Sequence, residues 1–196
     1  MTPKTNEGVA CMEHRCCWVN EANPRYVRYH DEEWGVPVHD DRTLFAFLIL
    51  EGFQAGLSWE CVLNKRDAFY EAFDGFDVER VCAYDEEKCR VLMADRRIIR
   101  NRRKIAASVE NARVFRRIQK EFSSFDAYLK QFTNDSVICE PYTQRTSSPL
   151  SDRISADLKK RGMRFVGTTI IYSYLQAIGV ICGHGEECDL FGVIPE

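Results

Sequence analysis

Near its C-terminal end the chain reads ICGHGEEC, residues 181–188, with two thiols, an imidazole and two carboxylates in one short stretch. His184 and Cys188 have three residues between them, so on a helical turn both face the same way, a spacing that suits a divalent metal such as zinc. Two ligands make half of a tetrahedral site. Candidates for the other half lie at the opposite end of the chain, where CMEHRCCW supplies Cys11, His14, Cys16 and Cys17, and RYVRYHDEEWG supplies His30. Spacing does not choose among them, and a set of reduced surface thiols is the plainer alternative.

A second group of residues is suited to holding a flat cation. Glu51 closes the apolar run FLIL and precedes FQAG, and a carboxylate in such a setting is costly without a partner or a task. Trp59 stands just beyond, and Trp18, Tyr26, Tyr29 and Trp34 crowd the N-terminal segment. An aromatic slot with one acidic wall attracts a planar cation through stacking and cation–π interaction. The third group is basic. RRIIRNRRK, residues 96–104, holds six positive charges in nine residues although the chain as a whole carries −3. Two helices flanking such a turn aim backbone N–H groups and arginines at phosphate; a solvated basic helix face is the alternative.

The elements that must position these residues read as helices. Asp41 is the expected cap of a helix over RTLFAFLILEG, and Ser58 of one running through Trp59, Val62, Leu63, Phe69, Tyr70 and Phe73. Further helical patterns cover about 77–84, 86–94 and 102–119, and another starts at Ser124. Residues 133–150 read as a loop, Ser151 restarts a helix ending at Gly162, and Thr168 starts the last one. No strand is expected, so the fold class is all-α. The 196 residues, 45% hydrophobic, suffice for a good core in one domain or in two closely joined lobes. No apolar run has the length of a membrane helix and the N-terminus lacks a secretion signal, so the expectation is a cytoplasmic protein with reduced thiols. Cys61, Cys82, Cys89 and Cys139 are expected as ordinary buried thiols.

Taken together, RCCWV, YVRYHDEEWGVP, LEGFQAGLSW, RIIRNRRKI and LKKRGMRFVGTTIIYSYLQAIGV followed by HGEEC resemble the 3-methyladenine DNA glycosylase I family over about Cys16 to Cys188. The resemblance implies a helix-hairpin-helix glycosylase fold with a single catalytic domain over 16–196 and an extension over 1–15. It implies one structural zinc on Cys16, His30, His184 and Cys188, a set that leaves no open coordination position. Cys11, His14, Cys17, His39 and Cys182 are then neighbours. It makes Glu51 the catalytic pocket carboxylate and Trp18, Tyr29 and Trp59 the pocket lining, with Tyr26 and Trp34 as further aromatics. Gln54 to Leu57 would lie against the gap left by an extruded nucleotide. The family often has a glycine where this chain has Arg97. The implied partners are alkylated double-stranded DNA and free 3-methyladenine as product, handled by a bacterial-type monomer. The usual aspartate after the hairpin is missing, and no lysine is poised there for a Schiff base, so the implied reaction is hydrolysis by water without strand cleavage. A zinc-stabilised DNA-binding module without catalysis is the alternative.

Overall fold

The computed structural model describes residues 13–139 and 145–193, apart from the Cys139 side chain, and is built almost wholly of helices. Helix α1 (Pro24–Glu32) is one the apolar periodicity did not announce. Its signal is local: Asn23 accepts a hydrogen bond from the Arg25 N–H and Pro24 occupies the first turn. Helix α2 (Asp41–Gln54) is the central rod, with every residue from Leu44 to Phe53 buried. A helix apolar on all faces must sit inside the others, and α10 (Thr168–Ala177), α7 (Arg102–Phe122) and α8 (Phe125–Thr133) all pack on it.

The cap of α2 is Asp40, whose carboxylate takes the Thr43 N–H at 2.9 Å, and not Asp41. Asp41 serves a different helix: its carboxylate accepts the N–H groups of Phe125 and Asp126 at the start of α8 and the Gln119 amide. The helix expected from Ser58 to Phe73 is two, α3 (Trp59–Leu63) and α4 (Arg66–Ala72), broken at Asn64 and Lys65 and followed by a 3-10 turn over Asp74–Phe76. Helices α5 (Val78–Cys82) and α6 (Glu86–Ala94) match their expected positions. Helix α9 (Pro149–Lys160) starts earlier than expected, because Ser148 and Ser151 form a reciprocal capping box. The expected absence of strands is corrected by one minimal element. β1 (Ile138–Cys139), in the stretch read as a loop, pairs in parallel with β2 (Ile181–Cys182). Two residues per strand are too few to leave an alternating pattern in the sequence.

The two ends of the described chain are brought together before any side-chain chemistry is considered. Gly35 N–H donates to the Gln176 carbonyl and Val38 N–H to that of Ile178, each at 3.0 Å. The backbones approach so closely that a Cβ on Gly179, at φ +71°, would lie 2.3 Å from the Val36 carbonyl carbon, which makes glycine obligatory there. Farther out, Asp189 accepts from the N–H groups of Glu13 and His14. Residues 1–12, including Cys11 and most of the expected extension, lie outside the described residues. Among the described residues no helix is long and apolar enough to cross a membrane.

Candidate functional site

Closure of the ends assembles the Cys/His cluster. The ligand atoms of Cys16, His30, His184 and Cys188 all lie within 4.8 Å of one another, and all four residues are buried. Cys16 Sγ is 3.6 Å from His184 Nδ1, and Cys188 Sγ is 3.5 Å from both His30 Nε2 and His184 Nδ1. Metal–sulfur and metal–nitrogen bonds of about 2.3 and 2.1 Å at a tetrahedral angle place S and N about 3.6 Å apart, so these three sulfur–nitrogen separations match edges of a zinc tetrahedron. Its surroundings fit as well. The far nitrogen of His30 meets Asp31 at 2.8 Å, Arg15 holds that carboxylate, and the Gly185 N–H points at Cys16 Sγ from 3.5 Å. Without a cation, burial pushes the Cys16 thiol up to about 12 and His184 down to about 4, His30 adding to the latter. Cys17 is exposed and stands outside the cluster, as do His14, His39 and Cys182. Of the thiols expected in the core, Cys82 is buried while Cys61 and Cys89 are only partly so.

Against this cluster lies an aromatic cavity of about 350 Å³, lined by Trp18, Tyr26, Tyr29, Trp34, Glu51, Gln54, Trp59, Ser173 and Gln176. That is at the small end of the range for ligand pockets. All the aromatic candidates are in its wall. Trp59 and Tyr29 have ring centroids 5.3 Å apart, and Trp18 and Tyr26 are 5.5 Å apart. Trp34 touches both the pocket and the cluster, with its ring 4.7 Å from that of His184, and Trp18 lies 5.3 Å from His30. The cluster is therefore the rear support of the pocket.

Glu51 is the chemically unusual residue. It is 2% exposed, its Oε2 has no hydrogen-bond partner, and burial alone pushes its carboxyl up to about 8. Among the described residues the only other buried side-chain polar atom in this condition is Trp59 Nε1, in the same cavity. One acceptor and one donor are thus held unpaired in an aromatic slot, where each costs free energy until a ligand supplies its complement. A larger groove of about 830 Å³ between α6 and α7 contains nothing comparable, since neither orphaned atom is in its wall.

Three contributors were not singled out in the sequence. Ser173 and Gln176 face the cavity from α10; their signal is a pair of polar residues three apart in the mostly apolar run from Ile170 to Ala177. Lys104 is the third. Its ammonium is buried and donates to the carbonyls of Phe53 and Ala55, both at 2.7 Å, tying the start of α7 to the last turn of α2. A cation at a helix C-terminus is favourably placed, and this one holds the turn leading into Gln54–Leu57. Leu57 in that segment is exposed, and Gly56 has φ +80°. In the turn between α6 and α7, Arg97 is engaged with Asp95 and Glu71 and its φ is not positive, so no glycine is required. Arg96, Arg100, Arg102 and Arg103 have no ion-pair partner among the described residues.

Comparison with known proteins follows the same lines. Residues 18–191 match the family described as Methyladenine glycosylase. The chain is 43% identical over 178 residues to DNA-3-methyladenine glycosylase 1 of Escherichia coli K12, covering 89% of this chain and 95% of that one. It is 38% identical to the DNA-3-methyladenine glycosylase of Haemophilus influenzae over 184 residues, 90% and 97% of the two chains. A crystal structure of 3-methyladenine DNA glycosylase I superimposes with a TM-score of 0.86 at 41% identity, covering 93% of this chain and all of that one. A variant of such an enzyme in complex with 3-methyladenine gives 0.87 at 30% identity, over 92% and 99% of the chains. The chain belongs to the methyladenine glycosylase family.

Proposed function

We propose that this protein is a DNA repair enzyme that takes 3-methyladenine out of an alkylated duplex and cleaves its glycosidic bond with water. The observation that carries the reading is Glu51, a buried carboxyl with an unpaired oxygen inside an aromatic slot. Methylation at N3 makes the base a cation and a good leaving group, so the enzyme needs selection more than leaving-group activation. A base inside a duplex is out of reach and must be extruded into the pocket. Rings of Trp18, Tyr26, Tyr29 and Trp59 stack on it, and Glu51 accepts a hydrogen bond from its edge.

The raised pKa of Glu51 makes the choice of a cation sharper. In the free protein near neutral pH the carboxyl is largely protonated. A positively charged base favours the ionised form, so its binding pulls the pKa down and releases a proton. Affinity for the cationic base therefore rises as pH rises towards 8 and then levels off. A neutral adenine offers no such compensation. The carboxylate also stabilises positive charge that develops on the sugar as the bond breaks. No lysine lines the pocket, and the amine of Lys104 is held by two carbonyls, which supports release of the base without a Schiff base or strand cleavage.

The Cys16, His30, His184 and Cys188 cluster is read as a structural zinc site: four protein ligands leave no position for water, and the metal supplies a cross-link between the ends of the chain behind Trp18 and Trp34. The hairpin formed by α6, residues 95–101 and α7 is read as the part that meets the DNA backbone. The test is incubation with methylated duplex DNA and chromatography of what is released. Free 3-methyladenine with the DNA strand left intact is the expected result; absence of any released base leaves a binding protein instead.

A further inference from the structure

Most arginines of this protein are paired with a carboxylate, among them Arg15, Arg25, Arg42, Arg66, Arg97, Arg116 and Arg161. Three that are not, Arg102, Arg103 and Arg164, line one open cleft of about 500 Å³ with Ala106 and Phe165, and no acidic residue lines it. Arg102 and Arg103 come from the first turn of α7. Arg164 comes from the loop before α10, more than sixty residues on. The loop is pinned, not adventitious. Buried Asn111 clamps the Arg164 peptide on both sides, accepting its N–H and donating to its carbonyl at 2.9 Å each, while Ser155 Oγ donates to the Val166 carbonyl at 2.7 Å. Phe165 is held at φ +56°, a strained conformation for a non-glycine residue. The backbone is fixed and the guanidinium is left to solvent.

We propose that Arg102, Arg103 and Arg164 form a binding site for a backbone phosphodiester of the DNA strand that carries the lesion, close to the extruded nucleotide. Three like charges around one cleft repel each other until an anion enters, and a phosphate accepts from several guanidinium N–H groups at once. The placement follows from Phe165. Its Cβ would be 3.5 Å from a Cβ on Gly52, the residue after Glu51, and its ring lies 5.9 Å from Lys104 Nζ. The cleft and the base pocket thus adjoin the same last turn of α2, one through Phe165 beside Gly52 and the other through Glu51 and Gln54. The contact extends the backbone grip beyond the α6–α7 hairpin to a loop distant in sequence, and it rests on the glycosylase reading above.

The experiment measures affinity for a duplex carrying an abasic-site analogue, as a function of salt, for wild type, Arg164→Ala and the control Arg153→Ala, an exposed arginine outside the cleft. Arg164→Ala should reduce the slope of log affinity against log salt by about one, equally for duplexes of different sequence. Replacing single phosphates next to the analogue by neutral methylphosphonates should weaken wild type at one position, and Arg164→Ala should be insensitive at that same position. A slope no different from that of Arg153→Ala, or undiminished methylphosphonate sensitivity, overturns the proposal. So does loss of 3-methyladenine binding by Arg164→Ala with the salt slope intact, which would make the loop a pocket support. Should the wild type release no base from methylated DNA while the salt and methylphosphonate results hold, the glycosylase reading fails and the phosphate site stands.

Discussion

The Cys/His cluster and the aromatic pocket share Trp18 and Trp34 as a common wall, yet they bury polar atoms in opposite ways. In the cluster the ligand atoms converge on a common centre, and an outer layer of Asp31, Arg15 and Gly185 serves them. In the pocket Glu51 Oε2 and Trp59 Nε1 are left without partners. Both arrangements are costly in a low-dielectric interior. A convergent set suits one resident ion, the structural zinc proposed above. An unpaired donor and acceptor in a slot are relieved by a molecule that comes and goes, and belong to the function. Lys104 stands between the two cases: it is a buried charge near the pocket, but two carbonyls satisfy it, so its role is to hold the turn.

The largest effect separating the two regions should come from Cys188→Ala. On the proposed zinc reading, removing one of the four ligands should abolish stoichiometric metal and destabilise the fold by on the order of 5 kcal/mol or more, read as metal content and thermal midpoint. Full metal retention in that variant would point to another thiol as the ligand. Next is Lys104→Met, which leaves the Phe53 and Ala55 carbonyls unpaired at about 1–3 kcal/mol each. Denaturant unfolding should show the loss, and Lys104→Arg should recover part of it; a neutral Met variant would mean the turn holds itself.

Glu51→Gln should act on stability in the other direction. The folded-state pKa of about 8 lies above the ordinary carboxyl value of 4.5, so the folded protein keeps its proton where the unfolded chain has lost it. Burying Glu51 carries no charge penalty below about pH 4.5, and the penalty grows until pH passes 8. The glutamine variant should therefore gain on wild type across that window, by on the order of 5 kcal/mol at its upper end. A stability difference independent of pH would show that Glu51 is already ionised in the empty pocket. The smallest contrast is on the hairpin. Arg97→Ala, whose charge is already engaged by Asp95 and Glu71, should leave the salt dependence of DNA binding nearly unchanged, while Arg100→Ala should flatten it by about one. Equal effects of the two would mean that Arg97 leaves its carboxylates on binding.

Much of this was legible from residue types alone. Glu51 after FLIL was anomalous as a sequence feature, and the paired Cys/His residues at both ends asked for closure. Residue types and spacing alone did not say which of Cys11, His14, Cys16, Cys17 and His30 completes the cluster, and the family resemblance supplied Cys16 and His30; the choice depends on how Gly35 and Gly179 bring two distant backbones together. Asp41 was misassigned for a similar reason: Asp40 and Asp41 are equally good caps locally, and only the docking of α8 gives the second a separate partner. Helix α1 carried its signal in Asn-Pro and not in apolar spacing, since its outer face is charged. Lys104 read as one more charge in a basic run, and nothing local shows that it turns inward.

The central claim is that Glu51 selects the cationic base, and it is tested most directly by measuring binding to, and single-turnover excision from, a duplex carrying 3-methyladenine, in which the base is charged, with wild type, Glu51→Gln and Trp59→Ala between pH 6 and pH 8. Loss of one charged hydrogen bond in a dry pocket is about 1.5–3 kcal/mol. Glu51→Gln should therefore lose roughly ten- to a hundredfold of the preference for the lesion duplex over undamaged DNA and excise the base more slowly. The gap from wild type should widen as pH rises, with binding to undamaged DNA and metal content preserved. Unchanged affinity and excision in Glu51→Gln, with Trp59→Ala still damaging, would mean that stacking alone selects the lesion, in contradiction to the role assigned to Glu51.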